Sequence, residues 1–465
     1  MPAGSVERCR TSARMSVGGV PSVDRLGDAA KKRLGSMLSL VRGTALAQLV
    51  FVLATPILTR VYSAAELGVF GVYTAVVVVA SRVVGLRYEM ATPLPRRDEV
   101  ALHLTWLTML LSVGMLGAAY LAYVFAIDGL GLFDEAHPLQ SHVWIVLTGI
   151  LMFVLNAALS MWFIRKKEFG IVANSRLINA LLLAVFQLAG FLSSAKLLVL
   201  LGAYPLALGI SNLYMFRRLD WKVARYRRSR ARLLGTLARR YREFPLYATL
   251  SSTISELSQA LPLFVLSAYF GNAQVGYFFM ARRIGLVPTS IVGRAISQVN
   301  HAEMLEHYRD GALGDVLSRQ IRLLQWVSIL PAFVLAAVAP ALCERLLGEE
   351  WRIAGEYLQL MTPYVVVRLV FAPVQAVNYV AEWQREGFWV ALVATAVSTG
   401  MLILFSSDGR EHAAVAAYFA VQCLANFAYR SYLMRRLGTN LVELLTPMAV
   451  QIVALAVLWF VVRLY

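Results

Sequence analysis

Residues 217–242 read RRLDWKVARYRRSRARLLGTLARRYR, eleven basic residues against the single acid Asp220. On either side the chain changes character. Six apolar blocks precede this segment, at 40–59, 67–90, 102–127, 142–164, 171–192 and 197–216. Seven follow it, at 246–270, 275–299, 323–343, 357–381, 387–405, 413–434 and 444–464. Each runs to about 20 residues, the length with which an α-helix rising 1.5 Å per residue crosses roughly 30 Å of hydrocarbon. A soluble core imposes no such length. The composition agrees, with 59% hydrophobic and only 15% charged residues and a mean hydropathy of +0.63, where soluble chains carry about a quarter charged residues. The sequence therefore predicts an all-α polytopic membrane protein.

Five segments follow from this reading: a basic tail (1–39), a first lobe of six helices (40–216), the basic linker (217–243), a second lobe of six (244–434) and a thirteenth helix within 435–465. An internal repeat supports the two lobes. Ala65-Glu66-Leu67-Gly68-Val69-Phe70 matches Ala273-Gln274-Val275-Gly276-Tyr277-Phe278 at an offset of 208 residues, in the turn between the first and second helix of each lobe. An even number of helices lies between the copies, so both have the same orientation and the lobes are parallel repeats about an axis along the membrane normal.

A net charge of +17 invites a nucleic-acid reading, but its distribution excludes one. With the tail and every second connection assigned to the cytoplasm, about 30 of the 44 Lys and Arg fall inside and about 6 outside, as the positive-inside rule requires. The tail has no apolar core of the kind a cleaved signal needs, and is expected to be cytoplasmic. The three cysteines (Cys9, Cys343, Cys423) and six scattered histidines have no metal-ligand spacing, so no metal or cofactor is expected. The connections on the outer side are shorter than about 15 residues, which leaves no platform for acid or base chemistry in water. No catalytic residue is expected, and a site has room only between the helices.

Charges inside the apolar blocks mark that site. Arg87, Arg294 and Arg430 lie near the inner ends of their blocks, where long side chains reach the headgroups. Arg82, Arg176, Arg282, Arg283 and Arg368 lie deeper, and each costs roughly 2.5–3.5 kcal/mol if it faces lipid at the bilayer centre. They are expected to line a polar interior. Asn179 and Gln187 share a helical face with Arg176, and Gln422, Asn426 and Arg430 repeat every four residues, so both stripes are expected to point inward, towards the cavity or to neighbouring helices. Acid is scarcer: Glu256 in the middle of the seventh block and Glu89 at the inner end of the second. Glu256 is either the counterion of an arginine or a protonatable group that couples transport to H+ or Na+. The net cationic interior suits an anionic cargo, and arginine offers phosphate a planar, two-pronged donor.

Four stretches carry a resemblance to a known family: LTRVYSAAELGVFGVY from Leu58 with LRYEMATPLP from Leu86, LNAALSMWFIRKKEFGIVANSRLINA from Leu155, AYFGNAQVGYFFMARRIGLVP within 244–299, and GEEWRIAGEYLQLMTPY from Gly348. Together they make the chain similar to the Wzx-type oligosaccharide flippases of the multidrug/oligosaccharidyl-lipid/polysaccharide (MOP) exporter superfamily. Ala64 stands where that family often has proline, and the block at 444–464 adds a helix to its twelve. The resemblance implies a MATE-like bundle with a central cationic cavity and alternating access. Its implied cargo is an undecaprenyl-diphosphate-linked oligosaccharide, moved across the bacterial inner membrane for O-antigen, capsule or exopolysaccharide assembly. Membrane lipids surround such a protein, and polymerase or chain-length proteins of the pathway are its implied partners. A drug or metabolite exporter of the same superfamily is the main rival, and the deep arginines count against an organic-cation cargo. A membrane enzyme of polysaccharide assembly is the second, disfavoured by the short outer connections.

Overall fold

The computed structural model describes residues 45–130, 139–219, 230–287, 310–381 and 383–440, with isolated positions at 43, 289, 307–308, 442, 446–451, 453–454 and 457. The tail 1–39, residues 220–229 of the linker, Pro288, Arg294 and the greater part of the thirteenth block lie outside these residues.

All the regular structure among the described residues is helical. Six helices precede the linker: α1 (Ala45–Val61), α2 (Ala64–Val84), α3 (Asp98–Leu130), α4 (Val143–Arg165), α5 (Phe169–Leu188) and α6 (Lys196–Arg217). The linker contributes α7 (Arg230–Arg240), and α8 (Thr249–Phe270), α9 (Asn272–Gly285), α10 (Leu313–Leu347), α11 (Arg352–Val370), α12 (Gln384–Ser407) and α13 (Glu411–Arg436) follow. Seven segments are long and apolar enough to span a membrane: α2, the first 24 residues of α3, α4, α5 with its extension to Leu192, α6, α10 and residues 385–407 of α12. The protein is a multi-pass membrane protein.

Local chemistry sets the ends of these helices, and three ends differ from the sequence reading. α2 begins with a capping box, Ser63 N donating to Glu66 Oε2 (2.9 Å) and Glu66 N to Ser63 Oγ (3.3 Å), which satisfies two N–H groups the first turn leaves free. It ends at Val84 rather than at residue 90, because Leu86 and Arg87 adopt positive φ (50° and 55°). Glu89 therefore lies in the following short turn (Tyr88–Ala91), not on α2. The block at 357–381 is also broken: α11 stops at Val370 and a 3-10 turn covers Ala372–Ala376. Pro373 at the start of that turn lacks the N–H an α-helix would need there. α10 is longer than its apolar block, 35 residues or about 52 Å, and its polar first turns project beyond roughly 30 Å of hydrocarbon.

The linker is not a free basic loop where it is described. α7 lays Leu233, Leu234, Leu237 and Ala238 against Tyr88, Leu104 and Leu107, and Tyr88 donates its hydroxyl to the Ala238 carbonyl (3.0 Å). Its arginines, Arg239 and Arg240, stay exposed.

The repeated segments meet each other. A Cβ on Gly68 would stand 1.8 Å from the Asn272 carbonyl oxygen, and one on Gly276 would stand 1.9 Å from that of Ala64. The 208-residue offset of the repeat relates Ala64 to Asn272 and Gly68 to Gly276, so the contact is reciprocal, as a two-fold axis demands. Only glycine lets the α2 and α9 backbones approach this closely. Around the crossing, Phe70 packs edge-on against Phe279 (6.0 Å), Tyr277 against Trp351 (5.6 Å), and Trp351 Nε1 donates to Thr59 O (3.3 Å). The largest core cluster draws from both sides of the linker here. One end of the bundle is thereby sealed, while the helices leave space further along.

Candidate functional site

Past the crossing, α2 and α9 run away from the seal, and their small residues give way to polar ones. A central cavity of about 470 Å³ opens between the halves. Phe51 of α1, Thr74 and Val78 of α2, Tyr204 of α6 and Leu263 of α8 make its wall, with Gln48 of α1 and, from the second half, Glu256, Gln259, Arg282 and Arg283 as polar groups. The two arginines stand ten and eleven residues into α9, about 15 Å from the crossing end. As adjacent helical residues they diverge by about 100°. Arg282 turns to α8, donating to the carbonyl and the side-chain oxygen of Gln259. Arg283 turns to α1, above the Phe51 ring (5.1 Å) and near its carbonyl (3.5 Å).

Glu256 also faces the first half. Its Oε1 accepts from Arg82 Nη2 at 2.8 Å, the one ion pair among the described residues that joins a residue before the linker to one after it. Arg82 rests on the Phe153 ring (5.6 Å) as well. Its charge is thus balanced, while neither Arg282 nor Arg283 belongs to an ion pair among the described residues, although Glu256 stands in the same wall.

A second cavity, about 640 Å³, lies within the second half, among the inner parts of α8, α11, α12 and α13. Gln259 borders both cavities. Arg368 and Arg430 line the second one with Asn378, Gln422, Asn426 and Tyr429, and its described lining contains no carboxylate. Arg368 Nη1 donates to Tyr364 Oη (2.8 Å) and Arg430 Nη1 to the Phe371 carbonyl (2.9 Å). Gln422 donates to Ser398 (3.1 Å), and Asn426 to the Gln422 carbonyl (2.8 Å).

The residues singled out in sequence are divided by this geometry. Arg282, Arg283 and Glu256 share the central cavity; Arg368, Gln422 and Asn426 share the second; Arg82 touches Glu256. Arg176 is exposed and lines neither cavity. Asn179 and Gln187 pack within the first half, outside both linings, and the buried side-chain amide of Gln187 has no hydrogen-bond partner among the described residues. Glu89 is buried and accepts from Arg87 (2.9 Å) away from the cavities. Arg430, which position alone assigned to the headgroups, lines the second cavity instead. Its four-residue spacing from Gln422 and Asn426 was the signal. Gln259, the hinge between the cavities, carried no signal beyond being polar in an apolar block.

The described residues form an all-helical, multi-pass bundle with a packed crossing and charged internal cavities, and solved structures share its fold. The chain aligns with an inward-facing multidrug-resistance MATE family transporter of the MOP superfamily (15% identity, 84% of this chain and 95% of that one, TM-score 0.56). It aligns with the lipid II flippase MurJ in an inward closed conformation (12% identity, 90% and 98%, TM-score 0.62). A MOP superfamily transporter from Pyrococcus furiosus, whose reversed binding-pocket polarity suggests a different function for it, also aligns (16%, 87% and 96%, TM-score 0.55). At these identities the likeness is one of fold. No curated protein matches in sequence. The family follows from residues 57–355, which match the model described as polysaccharide biosynthesis protein; the chain belongs to that family.

Proposed function

We propose that this protein moves a lipid-diphosphate-linked oligosaccharide from the cytoplasmic to the periplasmic leaflet of the bacterial inner membrane. The observation that carries the reading is Arg282 and Arg283 held inside a cavity that is sealed at the α2/α9 crossing. An anion can be met there by arginine forks in a medium of low dielectric, where charge-assisted hydrogen bonds are strong. The sealed end is then periplasmic, the basic linker cytoplasmic, and the structure corresponds to an inward-facing state. Transport proceeds by alternating access, the lobes 40–216 and 244–434 rocking about the crossing. The family's role in polysaccharide biosynthesis and the fold shared with a lipid II flippase support this cargo class. O-antigen, capsule and exopolysaccharide assembly are its settings, with polymerase or chain-length proteins as partners. Glu256, already paired with Arg82, is where H+ or Na+ coupling would enter.

An organic-cation exporter needs an unneutralised acid in its cavity. The one acid in the described lining of the central cavity is committed to Arg82, so that reading is not adopted. Reconstitution in vesicles with a fluorescent undecaprenyl-diphosphate glycan, followed by protection from a membrane-impermeant reductant, tests the proposal. Protein-dependent exchange between leaflets is expected, and its absence with folded protein overturns the reading. A reporter fused at residue 230 should be cytoplasmic; a periplasmic signal reverses the orientation.

A further inference from the structure

The two cavities differ in chemistry, and the difference locates the head of the cargo. The central cavity is walled mainly by aromatic and aliphatic side chains, and its two arginines share the wall with Glu256. The second cavity is larger, at about 640 Å³ against 470 Å³, and its described lining holds two arginines and no carboxylate. Neither Arg368 nor Arg430 belongs to an ion pair among the described residues. Both hydrogen-bond neutral oxygens, and Arg430 Nε is buried with no partner among the described residues. Both residues are half-buried, and cations of one sign facing one cavity without a counterion are destabilising. Such a pair persists where a ligand supplies the missing charge.

The rest of the lining says what else that ligand carries. Asn378, Gln422 and Asn426 offer carboxamides, each able to donate and accept, and Tyr429 adds a phenol that donates to Asn378 Oδ1 (2.9 Å). Hydroxyl-bearing ligands need both kinds of partner at once, because each sugar hydroxyl is donor and acceptor. Inorganic anions do not need them. At about 640 Å³ the cavity also falls in the range of roughly 300–1,000 Å³ that organic ligands occupy, far larger than an anion requires.

We infer that the cavity of the second half is a glycosyl-phosphate site. Arg368 and Arg430 hold the phosphate oxygens, and the amides beside them hold the first sugar of the glycan. The inference rests on the transport reading for the lipid end of the ligand. It then places the lipid-proximal part in the central cavity and sends the head group past Gln259 into the second half.

Purified protein in phospholipid-free detergent tests the site without transport. Glucose 1-phosphate, inorganic pyrophosphate and glucose are titrated against thermal unfolding read by tryptophan fluorescence. Saturable stabilisation by glucose 1-phosphate, weaker stabilisation by pyrophosphate and none by glucose is expected. Arg368→Gln and Arg430→Gln should each weaken glucose 1-phosphate binding by about tenfold or more, the scale of a lost charge-assisted hydrogen bond. Asn426→Ala should weaken glucose 1-phosphate but not pyrophosphate, and Arg352→Gln, exposed at the opposite end of α11 from Arg368 and outside the cavity lining, should change neither. Without ligand, Arg430→Gln should unfold at the same or a higher temperature, because it removes an uncompensated charge.

Binding that survives both arginine substitutions overturns the site. So does ligand-free destabilisation by Arg430→Gln, which would make that arginine structural. Equal binding of pyrophosphate and glucose 1-phosphate removes the sugar from the assignment. If protein in phosphatidylglycerol nanodiscs, compared with phosphatidylcholine, no longer binds glucose 1-phosphate, the phosphate belongs to a phospholipid headgroup and the glycosyl assignment fails. Glucose 1-phosphate binding without flipping in vesicles would sink the transport reading and leave the site. Flipping undisturbed in both arginine variants would do the reverse.

Discussion

The two halves of this molecule share a crossing and little else in their interiors. α2 and α9 meet as equivalents, each giving a glycine to the other's backbone. In the first half, α2 to α6 are each apolar enough over at least 18 residues to span a membrane. Among the described residues of the second half that holds for α10 and α12, while α8, α11 and α13 fall outside it and α9 is described over only 14 residues. Those four carry Glu256 and Gln259, Arg282 and Arg283, Arg368, and Gln422, Asn426 and Arg430, which include every charged group in the described linings of both cavities. The comparison separates two pressures. Close backbone approach keeps glycine at both copies of the crossing, whereas the charged groups that face the internal spaces come from one half. The helices that look least like membrane spans are the ones that make the site.

The largest effect expected is at the shared feature. Gly68→Ala and Gly276→Ala each drive a methyl into a carbonyl oxygen of the opposite helix, and overpacking of this kind destabilises by about 3 kcal/mol or more. Thermal unfolding in detergent should show both variants lowered to a similar degree. A loss at one glycine alone would break the symmetry argued for the crossing.

Next come the cationic cavities. Arg282→Ala and Arg368→Ala should slow glycan flipping by about 10- to 100-fold, the weight of one or two charge-assisted hydrogen bonds, with normal protein in the membrane. Lysine at either place should restore part of the rate, since it keeps the charge and loses the fork. Arg176→Ala, in the first half and outside both cavities, should flip at the normal rate. A deficit there as large as at Arg368 would erase the contrast between the halves.

The bridge between them is the Arg82–Glu256 pair. Glu256→Gln leaves Arg82 without its counterion, and a loss of about 1–3 kcal/mol is expected, below the 3–5 kcal/mol of a fully buried pair because both side chains keep some exposure, 19% and 25%. The double variant Arg82→Gln with Glu256→Gln should recover most of it in a double-mutant cycle. Full stability in Glu256→Gln together with loss of pH dependence in flipping would instead assign Glu256 to coupling.

The smallest effect concerns the turns that lead into the crossing. Ser63→Ala removes the cap of α2 and should cost about 1 kcal/mol. The second copy has no such cap: α9 is entered through Gly271 at φ 81°, and Gly271→Ala should cost a similar amount through backbone strain. Equal shifts by two different mechanisms would show that the repeats solved one geometric problem twice.

Much of this is legible in the chain. Apolar blocks of membrane-spanning length, the basic linker and the repeat at 65–70 and 273–278 are local or periodic features, and the solvent fixes what they mean: hydrocarbon demands helices of one length. The cost of a charge in lipid likewise marks Arg282, Arg283 and Arg368 as interior groups from their positions in the chain alone. Helix ends are less legible: at the end of α2 the positive φ falls on Leu86 and Arg87, while Gly85, the residue that would announce it, stays right-handed. The amino-acid order thus settles the class of fold and the sign of its interior charge. Three further features arise only from packing in three dimensions: which arginines meet, that Arg430 turns into a cavity while Arg176 stays outside, and that Glu256 is held by a residue 174 positions away. Each depends on the rotation of one helix against another, and that rotation is set by packing at places such as Gly68 and Gly276, far along the chain from the charges it aims.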